Sequence, residues 1–163
     1  PNCGRMKGTF RLSMCAIMAG LILPACIDGK RNLYSEYHRI LPEGWRFGEE
    51  VFFTPVHSDS LCSGRFVVAL RHDNSYPFTE IRLEVIHEDR GREVRDTVDI
   101  ELAGSYGQWR GSGIGTSFQV SDTLGRTVHA SGTKVRIRHL MRTDTLRGVN
   151  QAGLFFVPDK NQY

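Results

Sequence analysis

Between Val51 and Val157 the apolar residues return at every second position, and no long helical pattern interrupts them. Ile81, Leu83 and Val85 alternate with Arg82 and Glu84, and Val94, Val98, Ile100 and Leu102 with Arg95, Thr97, Asp99 and Glu101. Val135, Ile137 and His139 alternate with Arg136 and Arg138. A period of two puts apolar side chains on one face of a strand and polar ones on the other. Val51–Val56 and Leu154–Val157 are short apolar runs, Ser117–Val120 is a shorter candidate, and Phe66–Leu70 is apolar on both sides, as a central strand would be. Turn signals separate them at Asp73-Asn74-Ser75, Asp89-Arg90-Gly91, Gly104-Ser105, Leu124-Gly125, Ser131-Gly132 and Gly148. Strands so closely spaced fit a sandwich or barrel, and the lack of crossover helices argues against a parallel sheet. The expected fold is all-β: a single antiparallel β-sandwich, jelly-roll or immunoglobulin-like, over residues 45–158, with a short tail at 159–163.

The N-terminal part follows another logic. Lys7 and Arg11 precede an uncharged stretch from Leu12 to Leu23, and Leu23-Pro24-Ala25-Cys26 sets small residues just before a cysteine. A basic start, a short apolar segment and a small-residue cut site make a secretory signal peptide. A cysteine at the cut resembles a bacterial lipobox. The apolar stretch is too short for the roughly 20 residues that cross a bilayer. The expectation is a leader over 1–25, translated from Met6, and a mature chain beginning at Cys26 with lipid on its thiol and amine. Residues 26–44 are mixed and polar and read as lipid anchor and tether, with an average reach of roughly 20–25 Å as a flexible coil; Tyr34, Tyr37 and Ile40 recur at helical spacing, which leaves open a short helix or a segment lying on the domain.

Removing such a leader changes what composition says. The formal +3 charge comes from Arg5, Lys7 and Arg11; from Cys26 onward 18 basic residues balance 18 acidic ones. A nucleic-acid binder would carry a basic excess, so no nucleic-acid partner is expected. Of the cysteines at 3, 15, 26 and 62, only Cys62 would keep a free thiol. That leaves neither an internal disulfide nor a Cys-x-x-Cys metal site.

Candidate chemistry is sparse. No Gly-x-Ser-x-Gly elbow follows a strand. Gly111-Ser112-Gly113-Ile114-Gly115 matches neither a dinucleotide fingerprint nor a phosphate loop, and reads as a bend where glycine supplies positive φ. Six histidines, at 38, 57, 72, 87, 129 and 139, include His72-Asp73 and His87-Glu88-Asp89, but neighbours on a strand point to opposite faces and rarely chelate together. No metal, cofactor or catalytic residue is therefore assigned, and the chain is not expected to be an enzyme. Trp45 and Trp109 are read chiefly as core plugs. Were Trp109 displayed instead, it would suit an alternative reading as a carbohydrate-binding sandwich lipoprotein.

Three patches carry a resemblance: Val68-Ala69-Leu70-Arg71-His72-Asp73-Asn74-Ser75-Tyr76-Pro77-Phe78; Leu102 to Gly115 with its Gly107-Gln108-Trp109-Arg110-Gly111; and Leu140-Met141-Arg142-Thr143-Asp144-Thr145-Leu146-Arg147-Gly148-Val149. In this order the chain resembles the GldH-type gliding-motility lipoproteins of Bacteroidota, over roughly residues 34–158. The resemblance implies a non-enzymatic envelope component, acylated at Cys26 (palmitate among its lipids), that supports gliding and the secretion of adhesins alongside other envelope proteins. The sequence after the lipid cysteine, Ile27-Asp28-Gly29-Lys30-Arg31, lacks the acidic run of surface-exposed relatives, so a periplasm-facing position stands beside the outer-membrane surface. Within the patches, Arg71, Tyr76, Trp109, Arg142 and Asp144 are the candidate partner-binding residues. Arg142 is expected near Asp144, in a helical turn or a charged loop.

Overall fold

The computed structural model describes residues 34–56, 62–130 and 132–159. They form twelve strands and, among the described residues, no helix: β1 Tyr34–Arg39, β2 Trp45–Arg46, β3 Val51–Val56, β4 Cys62–Asp73, β5 Glu80–Asp89, β6 Arg92–Glu101, β7 Ser112–Ile114, β8 Ser117–Thr123, β9 Val128–Ala130, β10 Thr133–His139, β11 Thr145–Leu146 and β12 Val149–Pro158. One sheet runs β1-β12-β4-β8-β7, with β9 pairing the start of β4; the second runs β3-β10-β5-β6; β2 and β11 form a small ribbon. Every pairing is antiparallel. The long strands change sheet in the order of a jelly roll, which decides between the two sandwich types the alternation allowed.

The core lies between the sheets. Phe66, Val68 and Leu70 of β4 and Ala152, Leu154 and Phe156 of β12 meet Ile81, Leu83 and Val85 of β5 and Val135 and Ile137 of β10. Each set is spaced by two, so the pleat alone sends it inward. Trp45 is fully buried and closes one end of this core, its indole N–H donating to Glu49 O at 3.0 Å. The β5–β6 hairpin turns at Arg90-Gly91 with φ of 52° and 77°. Two positive φ values in a two-residue loop match the right-handed twist of the flanking strands.

The domain begins earlier than its composition implied. Tyr34–Arg39 falls within the stretch read as tether, yet it is β1 and pairs with β12 over all six residues. Polar residues fill it because it is an edge strand. Glu36 and His38 face the rim of the opposite sheet, where Glu36 accepts the Thr54 N–H at 3.0 Å and His38 packs edge-on to Phe53 at 5.0 Å. Leu41 to Gly44, also assigned to the tether, form the turn leading into β2. Cys26, the leader and residues 160–163 of the tail lie outside the described residues.

Two ends follow from the register. β1 starts level with Phe66 and the β5–β6 hairpin; the end of β4, the ribbon and the β7–β8 hairpin lie at the other end. The tether side is called here the near end, and the opposite side the far end.

Candidate functional site

The three patches that carry the resemblance meet at the far end. Asp73 of the first donates its N–H to Gly148 O of the third at 2.9 Å. Gly148 has φ of 81°, and a Cβ there would fall 2.4 Å from Tyr76 N, so only glycine lets the two loops touch. Trp109 of the second patch packs edge-on against His72 of the first, ring centroids 4.8 Å apart, with Phe118 stacked on the imidazole at 5.5 Å. Two glycines after Trp109 also serve close approach: a Cβ on Gly111 would lie 2.1 Å from Gln119 O, and one on Gly113 1.8 Å from Ser117 O, across the β7–β8 hairpin.

Tyr76 sits inside this assembly at 3% exposure and donates its hydroxyl to Glu80 O at 2.9 Å. Burial pushes its phenol well above the usual tyrosine value. Its ring therefore packs beneath the loops, out of a partner's reach. Trp109 is half-buried against His72 and does not stand free as a sugar-stacking platform would. Arg142 and Asp144 are exposed, in a loop without a helical turn, and no ion pair joins them to each other or to Arg71. What Asp144 contributes is its backbone carbonyl, which accepts the Phe47 N–H at 2.9 Å.

Arg71 points the other way, onto the outer face of the six-stranded sheet. Its Nε–H donates to Gln119 Oε1 at 2.9 Å and a terminal N–H to Gln151 Oε1 at 2.6 Å. The guanidinium carbon lies 4.5 Å from the centroid of the Tyr37 ring. Tyr37 rests on Gly153, where a Cβ would come within 2.4 Å of the ring. Two glutamines and the Tyr37 ring thus hold one half-buried arginine. Only Arg71 could be singled out from the chain, because Tyr37 and Gln151 reach it through strand register.

Buried histidines complete the polar interior. His72 and His139 are fully buried, and burial lowers the pKa of each. His139 Nε2 lies 3.1 Å from Trp45 O, which makes Nε2 the protonated nitrogen of a neutral ring. Neither imidazole is open to a substrate. Among the described residues no three His, Cys, Asp or Glu side chains come together as a metal site. The hollow on the outer face of the four-stranded sheet, about 620 Å³, is lined by Phe52, Ile86, Arg136 and charged neighbours without a nucleophile–base pair.

A family model described as GldH lipoprotein matches residues 32–155. A search of curated proteins finds no match. Among solved structures, the Eiger TNF of S. frugiperda is similar over 82% of this chain and 99% of its own, at 11% identity and a TM-score of 0.35. With the family match spanning β1 to β12, the chain belongs to the GldH lipoprotein family and is a lipid-anchored protein of the cell envelope.

Proposed function

We propose that this lipoprotein is a non-catalytic scaffold or adaptor that supports gliding movement and the protein secretion tied to it, fastened through acyl chains on Cys26. The observation that carries the reading is what the family patches do. Tyr76, Trp109 and Gly148 are consumed in joining three loops, and His72 is sealed in the core. Such a design supports a rigid body for display better than a reaction centre. The sugar-binding alternative loses its main support with Trp109 packed against His72.

The anchor sets the geometry. β1 begins eight residues after Cys26, a span of at most about 29 Å when fully extended. The near end is therefore held close to the lipid. Each buried CH₂ contributes about 0.8 kcal/mol, and a single myristoyl chain binds only marginally, so several chains are needed for lasting attachment. Replacing the chromosomal gene by a Cys26→Ala version tests the reading in a gliding host. The expected result is a folded protein released from the membrane fraction, with spreading and adhesin export lost. Wild-type movement and export from the soluble protein would overturn the scaffold role as an anchored one.

A further inference from the structure

We propose that the outer face of the six-stranded sheet is the docking surface for a protein partner that presents a carboxylate to Arg71 and Arg39. This rests on the scaffold reading and names the surface it would use.

The register lays a straight row of side chains across that face. Arg39 of β1 pairs with Gln151 of β12, Gln151 with Arg71 of β4, Arg71 with Gln119 of β8, and Gln119 with Ser112 of β7. Strands are about 4.8 Å apart, so Arg39 and Arg71 stand about 10 Å apart at the backbone, with Gln151 between them. Among the described residues neither arginine has a carboxylate partner. Within these strands the acid on this face is Asp73, at the far end, and it already accepts the Ser75 N–H at 2.8 Å. Asp159, just past β12, lies 3.9 Å from Arg65.

The opposite outer face shows that this is not the chain's general habit. There Glu84 takes Arg138 at 2.6 Å, Glu93 takes Arg95 and Arg136, each at 2.6 Å, and Asp99 takes Arg82 at 2.6 Å. On that face Arg82, Arg95, Arg136 and Arg138 each have an acid, whereas on this one Arg39 and Arg71 have none.

Several features favour a protein as the occupant. Arg71, Arg39, Tyr37 and Phe155 are of the types enriched in interface cores, and the depleted Lys and Glu are missing from this face. Arg71 lies on the central strand and is half-buried, already fixed by two glutamines and the Tyr37 ring. Little side-chain freedom is left to lose on binding, and its remaining N–H groups form a fork suited to a carboxylate. The face measures roughly 600 Å² in projection, from strand spacing and rise, and with its rim approaches the roughly 800 Å² per partner of a stable interface. A second copy is disfavoured, because a two-fold contact centred here would set arginine against arginine. A lipid surface would call for long, free cations, and Arg71 is clamped.

The test uses the full lipidated protein in its own cells, with p-benzoylphenylalanine replacing Ser121 on this face or Thr97 on the other. Irradiation is expected to give a discrete protein adduct from position 121 and none from 97. Arg39→Glu alone and Arg39→Glu/Arg71→Glu should cut the adduct about tenfold or more, with membrane-bound amount and protease resistance unchanged. Arg39 makes no side-chain bond among the described residues, so its single variant remains informative if the double variant misfolds. An adduct of twice the chain mass, adducts to lipid alone, equal labelling from position 97, no adduct, or indifference to charge reversal would each overturn the proposal. No adduct from position 121 in the otherwise unaltered, lipidated protein would sink the docking surface alone; an unlipidated chain would sink the reading beneath it.

Discussion

Glu36 on the edge strand of one sheet reaches Thr54 on the edge strand of the other and takes both its N–H, at 3.0 Å, and its hydroxyl, at 2.7 Å. A single carboxylate thereby closes the seam where β1 and β3 run side by side without a backbone ladder. Tyr34 and His38 donate to the same carboxylate. Edge strands left bare invite pairing with other chains, and a charge placed at the seam both satisfies the backbone and blocks it.

Glu36 should therefore make stability acid-sensitive. Burial opposes its ionisation, but the hydrogen bonds from Tyr34, Thr54 and His38 outweigh it and hold its carboxyl at about 2, below the usual 4.5. A depressed folded-state pKa gives stability that is present above the unfolded value and lost as pH falls through the folded one. The window is thus about pH 4.5 down to about 2. Glu36→Gln should cost about 1–2 kcal/mol at neutral pH and flatten that leg of the stability curve. Denaturant melts at pH 7 and pH 3 read both; an unchanged slope would sink the assignment.

The buried imidazole of His72 acts in a higher pH range. Desolvation lowers its pKa, against weaker help from the Asp73 carbonyl and charge, so the unfolded chain binds its proton first. Stability should then be whole above the ordinary histidine value of 6.5 and fall as pH drops below it. His72→Phe keeps an aromatic ring among Trp109, Tyr76 and Phe118. It should leave the melting temperature at pH 8 nearly unchanged and shrink the loss between pH 8 and pH 5. An identical loss in the variant would place the acid sensitivity elsewhere, with His139 the next group to replace.

Much of this fold was legible from period two. β3, β4, β5, β6, β8, β10 and β12 all fall on the apolar runs, because a buried sheet face writes itself into every second residue. β1 was hidden, since Glu36 and His38 occupy the positions where alternation would show apolar residues. β2 and β11, two residues each, are too short to carry any period. Arg71 could be singled out from the chain, but its partners lie 48 and 80 residues away, at Gln119 and Gln151. Pairing between distant strands sets that row, and local sequence does not encode it. Tyr76 looked like a display residue because its neighbours are polar turns, but the loops fold back over it; Trp109, read chiefly as a core plug, does pack against the core.

Gly148 leaves no room for a side chain where two of the patches meet. Its φ of 81° is costly for any residue with a side chain, and a Cβ would meet backbone of Tyr76 and Ser75. Gly148→Ala should destabilise by about 2–4 kcal/mol, from backbone strain and the contact together. Gly115 has φ of 68° but open space around it, so Gly115→Ala should cost only the strain, about 1 kcal/mol. Thermal melts of the two variants side by side separate these terms. Equal losses would mean that the Asp73–Gly148 junction contributes nothing beyond local backbone.

The charge lattice on the four-stranded sheet should be uneven in value. Glu84 is mostly covered, at 14% side-chain exposure, and receives Arg138 at 2.6 Å and Arg95 at 3.5 Å. Asp99 meets Arg82 at a similar 2.6 Å, but both are about half exposed. Exposed pairs lose their Coulomb gain to water, salt and side-chain entropy, whereas removing the covered Glu84 leaves Arg138 without its partner, Arg95 keeping Glu93. Glu84→Gln should therefore cost about 1 kcal/mol, with a loss that persists in 0.5 M salt. Asp99→Asn should be silent once salt is raised. Melting curves for both variants at low and high ionic strength provide the comparison. A salt-insensitive loss at Asp99 that equals the loss at Glu84 would show that coverage by the neighbouring arginine stems does not govern the strength of these pairs.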